Sequence, residues 1–132
     1  MSDRYDVIIC GGGLAGQTLA RQINRKMPES SILLIDRQAR PLPVAALKVG
    51  ESSVETGANY LGAQLGLAEY FETKHLFKCG LRYFFGDSQG PVEDRAEFGL
   101  SKFPEVHSYQ IDRGVLENDL RQMNAEAGIE LI

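Results

Sequence analysis

The sequence predicts an α/β fold that begins with two buried parallel strands joined by one helix. Residues 5–10 and 31–36 are short, apolar and rich in β-branched side chains, which is typical of strands buried on both faces of a sheet. Between them, apolar residues recur at helical spacing, namely Leu14, Ala15, Leu19 and Ile23. Parallel strands joined by a helix of this length form a right-handed βαβ crossover, so we expect a parallel sheet.

The following segment combines a loop with a second helical region. Residues 38–50 contain two prolines and no sustained period, so we predict a loop or strap there. Helical spacing resumes over residues 52–66, and Ser52 followed by Glu55 has the pattern of a capping box at the helix start. A short helical piece is expected over residues 67–73.

The middle of the chain favours strands. Residues 77–85 alternate in side-chain bulk, which predicts a strand. Residues 86–105 are polar and interrupted by Gly and Pro, so we expect a long excursion there. Residues 107–111 predict a further strand, antiparallel to residues 79–85.

The last segment predicts a helix followed by a strand. Asp112 is a plausible N-cap, and Gly128 suits the helix end. The helix would bury Leu116, Leu120, Met123 and Ala127. Residues 129–132 then begin a strand.

Composition narrows the class of protein. The chain has 132 residues, 43% hydrophobic and 24% charged, as expected for a single globular domain. A net charge of −4 with scattered Lys and Arg argues against a nucleic-acid partner, and no apolar run is long enough for a membrane span. We expect a cytoplasmic protein in which Cys10 and Cys79 are reduced, buried thiols, because their separation fits neither a metal site nor a typical disulfide.

A glycine motif lies where the first strand meets the first helix. Gly11, Gly13 and Gly16 have the spacing G-x-G-x-x-G, in which the glycines allow a tight turn, close approach of a diphosphate and close helix packing. The backbone N–H groups of Leu14 and Ala15 open the helix, whose N-terminus attracts an anion. These features predict a Rossmann-like dinucleotide site.

An acidic residue strengthens this prediction. Asp36 stands twenty residues after Gly16, at the end of the second strand, where its carboxylate can bind ribose hydroxyls; Arg37 follows it. A carboxylate there disfavours the 2′-phosphate of NADP. The motif itself leaves FAD and NAD open, and a glycine-rich turn without a ligand is the plain alternative.

Three further strings resemble the flavin-dependent halogenases, which belong to the FAD-dependent aromatic monooxygenases. They are Val49-Gly50-Glu51-Ser52-Ser53, Phe77-Lys78-Cys79-Gly80-Leu81-Arg82-Tyr83-Phe84 and Tyr109-Gln110-Ile111-Asp112-Arg113-Gly114-Val115-Leu116-Glu117. The resemblance spans essentially the whole chain in the order and spacing of that family. It implies FAD as the cofactor.

The resemblance also implies a reaction and its partners. Reduced FAD, supplied by a separate flavin reductase, and oxygen convert a halide ion to hypohalous acid, and a lysine presents the oxidant to a small aromatic substrate. Lys78 occupies the position of that lysine. An exposed strand lysine is the plain alternative.

Five more residues are implied as cofactor contacts. The strap that joins the flavin and substrate sites would contribute Gly50, Glu51 and Ser52, and a later segment would contribute Gln110 and Arg113. Capping is the simpler interpretation of Ser52, and a surface position is equally open for Arg113. Neither His75 nor His107 has a partner at useful spacing, so we expect structural roles for both.

Two departures from the family affect which substrate we expect and whether we expect a complete domain. Tryptophan-type members carry a proline where this chain has Glu55, which favours a phenolic or pyrrolic acceptor, free or carrier-bound. The Trp-x-Trp-x-Ile-Pro signature of the family is missing, since the chain has no tryptophan. We therefore expect residues 1–132 to be one truncated FAD-binding domain that is inactive alone. Residues 1–37 and 112–132 would form its dinucleotide-binding core, and residues 38–111 the strap and the strands of an incomplete substrate domain.

Two other functions fit the same residues. An FAD-dependent monooxygenase or reductase without halogenation would keep the fold and leave Lys78 idle. A stand-alone nucleotide-binding module would need no further chain.

Overall fold

A parallel sheet contains strands from both ends of the chain. The computed structural model describes residues 4–38, 40–43, 48, 50–86, 90–102 and 104–132. The strands β1 (Val7–Cys10), β2 (Ile32–Ile35) and β7 (Glu130–Leu131) lie parallel in the order β1-β2-β7. Residue Val7 is in register with Ile32, and Leu33 with Glu130. The predicted α/β class with a parallel βαβ unit is confirmed.

Helix α1 (Leu14–Lys26) joins β1 to β2 and buries polar as well as apolar residues. Its buried residues are Gln17, Thr18 and Ala20, whereas Leu19 is 46% exposed. On the apolar face that the sequence predicts, Leu14 and Ile23 pack against hydrophobic clusters, and α1 meets a second helix through polar groups. The Nδ2 atom of Asn124 donates to both the backbone oxygen and the Oε1 atom of Gln17, at 3.0 and 2.8 Å.

Helix α4 (Arg113–Glu126) is that second helix, and its start is as predicted. The Asp112 Oδ1 atom accepts a hydrogen bond of 3.0 Å from the N–H of Val115, which confirms the N-cap. Leu116 and Leu120 are fully buried as predicted. Met123 is half-buried, and Ala127 is exposed because it lies beyond the last helical residue.

The predicted helix over residues 52–66 is shorter and irregular. It consists of α2 (Glu55–Asn59) and a π-helical turn (Tyr60–Gln64), followed by α3 (Ala68–Lys74). The capping box was wrong, since Val54 is the N-cap and no side chain caps the helix. Ser52 instead forms a β-bridge with Gln110, so tertiary pairing holds the chain extended before α2.

The strands of the middle segment also differ from the prediction. Residues 77–85 break at Gly80, whose φ is 114°, into β3 (Leu76–Lys78) and β4 (Arg82–Phe85). Strand β6 (Ser108–Gln110) pairs antiparallel with β3 and not with residues 79–85.

The segment predicted as an excursion contains regular structure. It holds a 3₁₀ turn (Val92–Asp94) and β5 (Ala96–Gly99), which pairs antiparallel with β4. An antiparallel partner for β4 was not evident from the polar composition of this segment, because β5 exposes all its residues.

The described residues form two hydrophobic clusters, one at the parallel sheet and one among the helices. The first comprises Ile9, Ala20, Ile32, Leu34 and Ile129, and the second Ala58, Leu61, Leu65, Leu67, Phe71, Tyr109, Ile111, Leu116 and Leu120. The thiols Cys10 and Cys79 are free but exposed, so the prediction that they are buried was wrong. None of the described helices combines the length and hydrophobicity needed to cross a bilayer.

Candidate functional site

The glycine-rich turn between β1 and α1 has the geometry of a phosphate cradle. The N–H of Gly11 donates to the backbone oxygen of Ile35 at 2.7 Å, which fixes the turn against β2. A Cβ atom on Gly16 would lie 1.8 Å from the backbone oxygen of Gly11, so only glycine allows this contact. At Gly11 and Gly13, no described atom lies within 4 Å of such a Cβ, which leaves room for a ligand.

The amide groups that open α1 lie at this turn, and the helix itself supplies no side chain that caps them. Gly13 is the N-cap, and neither a side-chain cap nor an acidic first-turn residue is present in this described helix. Leu14 and Ala15 are the first residues of α1, so their N–H groups have no partner one turn earlier in the helix. A diphosphate would satisfy them and the positive end of the helix dipole.

Asp36 lies beside the cradle at the end of β2. A Cβ atom on Gly12 would come within 2.7 Å of the Asp36 Oδ2 atom, so the carboxylate directly contacts the glycine turn. Burial alone would raise the pKa of the Asp36 carboxyl, but hydrogen bonds from Arg40 and from the backbone N–H groups of Gln38 and Gly12 hold that pKa below its usual value. The carboxylate is therefore ionised and able to accept hydrogen bonds from ribose hydroxyl groups.

Arg40, which the sequence reading missed, is the cation that contacts this carboxylate. Its Nη2 atom lies 2.6 Å from both the Asp36 Oδ2 atom and the backbone oxygen of Gly12. Arg37 was the predicted contact. It is exposed after β2, and no hydrogen bond or ion pair joins it to the described residues of the cradle. Arg37 stays a predicted cofactor contact, while Arg40 is the arginine that contacts Asp36.

A buried carboxylate connects Arg40 to the rest of the chain. Glu117 on α4 has a fully buried side chain, which accepts from Lys48 Nζ at 2.6 Å, Arg113 Nη2 at 2.7 Å and Arg40 Nη1 at 3.4 Å. Burial favours the neutral acid, but the hydrogen bonds and charges of Lys48 and Arg113 outweigh it and lower the pKa of Glu117. Its spacing from Arg113 on a predicted helix was the available sequence signal.

Arg113, which pairs with Glu117, also lies beside the strap. Its Nη1 atom lies 3.2 Å from the position of a Cβ on Gly50, whose φ of 92° favours glycine. The strap residue Gly50 and the helix residue Arg113 are thus neighbours, as expected if both contribute to one site.

The strap continues as a strand-like segment along β6. The N–H of Ile111 donates to the backbone oxygen of Glu51 at 2.5 Å, and Ser52 bridges to Gln110. The structure therefore brings together the predicted residues Glu51, Ser52 and Gln110. Of the predicted strap, residues 39, 44–47 and 49 lie outside the described residues.

Lys78 reaches this strap from β3. Its Nζ atom donates to the Ser52 Oγ atom at 3.0 Å and to the backbone oxygen of Ser53 at 2.6 Å. The side chain is half-buried and is not the freely solvated strand lysine of the alternative interpretation.

A cavity of 340 Å³ opens beside Lys78. Lys78 and Glu55 are charged residues on its wall, and the remaining lining is apolar, aromatic or glycine: Val54, Gly80, Leu81, Tyr83, Phe98, Gly99 and Leu100. Such a cavity, apolar with a few polar groups, suits a small aromatic molecule.

Both histidines make structural contacts. The His75 Nδ1 atom accepts a 3.3 Å hydrogen bond from the N–H of Asp112. Burial lowers the pKa of His75, although the charges of Asp112 and Asp119 oppose this effect. The ring of His107 packs edge-on against Phe77 at 4.6 Å between centroids.

The chain is similar to known proteins along most of its length. Residues 6–103 match the tryptophan halogenase family. The curated flavin-dependent halogenase chlA of Dictyostelium discoideum is 33% identical over 128 residues, which cover 92% of this chain and 21% of that protein. The chain thus spans about a fifth of the length of this relative.

Solved structures give the same fold. The myxobacterial chondrochloren halogenase CndH, described as a variant of FAD-dependent halogenases, has a TM-score of 0.71 at 25% identity over 96% of this chain and 28% of its own. Halogenase PltM, solved with phloroglucinol and FAD, has a TM-score of 0.71 at 16% identity over 97% of this chain and 27% of its own. At that identity, the likeness to PltM concerns the fold alone.

Proposed function

This chain belongs to the tryptophan halogenase family, and from that membership we propose that it is the N-terminal FAD-binding part of a flavin-dependent halogenase acting on a small aromatic substrate. The observation that carries the proposal is the position of Lys78, which contacts the strap and lines the apolar cavity. We further propose that the chain needs the rest of a longer protein for turnover, because it spans only about a fifth of its curated relative.

The cradle is the proposed site of the FAD diphosphate and adenosine ribose. The N–H groups of Leu14 and Ala15 would hold the diphosphate, with Gly11 and Gly13 leaving space for it. The ionised Asp36 would accept the ribose hydroxyls. When bound and reduced, FAD would supply, with oxygen, the oxidising power that converts halide to hypohalous acid.

The strap and the residues behind it are the proposed contacts nearer the flavin. Arg113 is held by Glu117 against Gly50 and adds positive charge beside the strap, which suits a phosphate or a halide ion. Glu51, Ser52 and Gln110 lie on the paired segments of the strap and β6 and would line the same side. Arg37 is kept as a proposed contact for the outer, adenine end of the cofactor.

Lys78 is the proposed catalytic residue. Hydrogen bonds to Ser52 and Ser53 fix its ammonium group at the cavity wall. Substrate binding therefore does not need to order this side chain further. It would hold hypohalous acid by hydrogen bonding or, as the free amine, form an N–halogen bond with release of water. The halogen then replaces a hydrogen of the ring in the cavity: the N–halogen or O–halogen bond breaks, the ring hydrogen leaves as a proton, and the free amine or a water molecule is released.

The partners follow from this assignment. We assign the dinucleotide cradle seen in the described residues to FAD, so reduced flavin would come from a separate flavin reductase. The substrate would be phenolic or pyrrolic, free or carrier-bound, together with a halide ion. The free thiols Cys10 and Cys79 are compatible with a reducing cytoplasm.

Substitution of Lys78 by alanine in the full-length protein tests this proposal. We expect halogenated product to fall at least about 100-fold, as for loss of a group that acts at the reacting atoms. FAD binding and flavin oxidation should persist, since Lys78 does not contact the cradle. Lys26→Ala, at the exposed C-terminal end of α1, is the control.

Product analysis distinguishes the alternatives. Unchanged halogenation by the Lys78→Ala protein would contradict the assigned role. A wild-type protein that hydroxylates the ring, or only oxidises reduced flavin, would instead indicate an FAD-dependent monooxygenase or reductase.

A further inference from the structure

Glu55 is an acidic residue in the first turn of α2, a position that the helix dipole favours, but its side chain does not cap the helix. It begins α2, but Val54 is the N-cap, and the structure has no side-chain cap at this helix. Across the described residues, no hydrogen bond or ion pair engages its carboxylate. The residue is half-buried and its carboxylate oxygens are open to water, which the donor group of a ligand could replace.

The cavity supplies the place for that donor. Glu55 and Lys78 both line it, while aromatic and aliphatic side chains such as Tyr83, Phe98 and Leu81 form the rest of the wall. Lys78 donates two of its three N–H groups to Ser52 and Ser53 and forms no ion pair with Glu55 in the described residues, so both side chains can contact a molecule in the cavity.

We propose that Glu55 is a specificity-determining residue, which accepts a hydrogen bond from the O–H or N–H group of an aromatic substrate held in this cavity. The inference rests on the proposed function and adds which substrates are admitted. A ring with a donor would be oriented between Glu55 and Lys78, whereas an O-methyl or N-methyl analogue would leave the carboxylate unsatisfied. A substrate carboxylate directed at this wall would be repelled.

Equilibrium binding to the full-length, FAD-loaded protein tests the proposal without turnover. Two matched pairs of probes are phenol with anisole and pyrrole with N-methylpyrrole, measured by ligand-observed NMR titration. The wild type should prefer the donor member of at least one pair by about tenfold or more, as for a hydrogen bond to a charged group. The pair that shows the preference identifies which donor the site accepts.

Variants assign that preference to Glu55. Glu55→Met keeps the size of the side chain, removes both acceptors and should abolish the preference. Glu55→Gln keeps a neutral acceptor and should retain only part of it, since charged hydrogen bonds are roughly twice as strong. Glu69→Met is the matched control, because Glu69 also lies in the first turn of a helix but is exposed and outside the cavity.

Three results would overturn the inference. They are a wild type that binds both members of each pair equally, a Glu55→Met protein that keeps the preference, and a Glu69→Met protein that loses it equally. Should Glu55→Met fail to fold, an unchanged preference in Glu55→Gln would overturn it as well. Absent halogenation would contradict the proposed function alone, because the binding measurements require no reaction.

Discussion

Substitution of Gly16 by alanine perturbs the contact on which the cradle depends. Alanine normally stabilises a helix by about 1 kcal/mol relative to glycine. At this position the added Cβ atom would lie 1.8 Å from the backbone oxygen of Gly11, and real Cβ atoms essentially never approach closer than 3.0 Å. The start of α1 must therefore move away from the turn by roughly 1.2 Å, the difference between these distances.

The magnitude follows from two opposing effects. Overpacking of this kind costs up to about 3 kcal/mol, and a backbone oxygen cannot move aside as a flexible side chain does. After the gain of about 1 kcal/mol in helix propensity, a net loss of about 2 kcal/mol in unfolding free energy is expected. Displaced N–H groups would also lose hydrogen bonds to the diphosphate, about 3 kcal/mol for two charged bonds or roughly 100-fold in the Kd for FAD.

Three variants separate these effects in the full-length protein. Thermal unfolding without FAD reports stability, and quenching of flavin fluorescence reports the Kd. Gly13→Ala meets no described atom and should lose at most about 1 kcal/mol, the cost of alanine at an N-cap, but its Cβ would enter the space assigned to FAD and weaken binding. Gly57→Ala, in α2, would meet a Val54 methyl group at an ordinary 3.9 Å and should change neither property for the worse.

The result that would refute this reasoning is a Gly16→Ala protein with wild-type stability and FAD affinity. Equal losses in the Gly57→Ala protein would also refute it, since a general sensitivity of helices to alanine would then explain the data. Normal FAD affinity in the Gly13→Ala protein would place the diphosphate elsewhere.

Further predictions concern α4 and its charged partners. Asp112→Ala removes the N-cap and should lower the unfolding free energy by about 1 kcal/mol, measured by urea denaturation. Glu117→Gln leaves its cations without a buried counter-charge and should cost about 3 to 5 kcal/mol, whereas Glu126→Gln on the exposed end of the helix should have little effect. Because folding lowers the pKa of both Asp36 and Glu117, their stabilisation is complete above about pH 5 and is lost as the pH falls through their folded pKa values. Thermal unfolding between about pH 6 and pH 3 should show this loss.

Each of these predictions has a contradicting outcome. An unchanged urea midpoint for Asp112→Ala would mean that the cap is dispensable. Similar effects of the Glu117→Gln and Glu126→Gln changes would deny the buried network its role. A Glu117→Gln protein whose stability falls with acid as steeply as the wild type would show that other carboxyls dominate.

Local features of the molecule were predictable from the sequence. The βαβ unit follows from short apolar runs and an intervening helical period, which depend on neighbours in sequence. The glycine cradle, Asp36 and the Asp112 cap are equally local, because each acts within a few residues of a strand or helix end. The position of Lys78 came from a family motif and not from periodicity.

Several local patterns were overruled by contacts between distant residues. The predicted capping box of Ser52 and Glu55 does not form, because the pairing of the strap with β6 holds Ser52 in an extended conformation. Leu19 turned outward because α1 meets α4 through Gln17 and Asn124, which are 107 positions apart. A helical period gives the spacing of apolar residues, but not which face the neighbouring helix will cover.

The sequence by itself determined the glycine turn after the first strand, the place where the first helix offers amide groups and the carboxylate that lies beside them. Only the tertiary structure decided that Arg40, and not Arg37, contacts Asp36, and that Glu117 gathers Arg40, Lys48 and Arg113. The physical reason is that a turn or a cap is made by residues a few positions apart. A buried charge, in contrast, is stable only with partners brought from elsewhere, here 77 and 69 positions away along the chain.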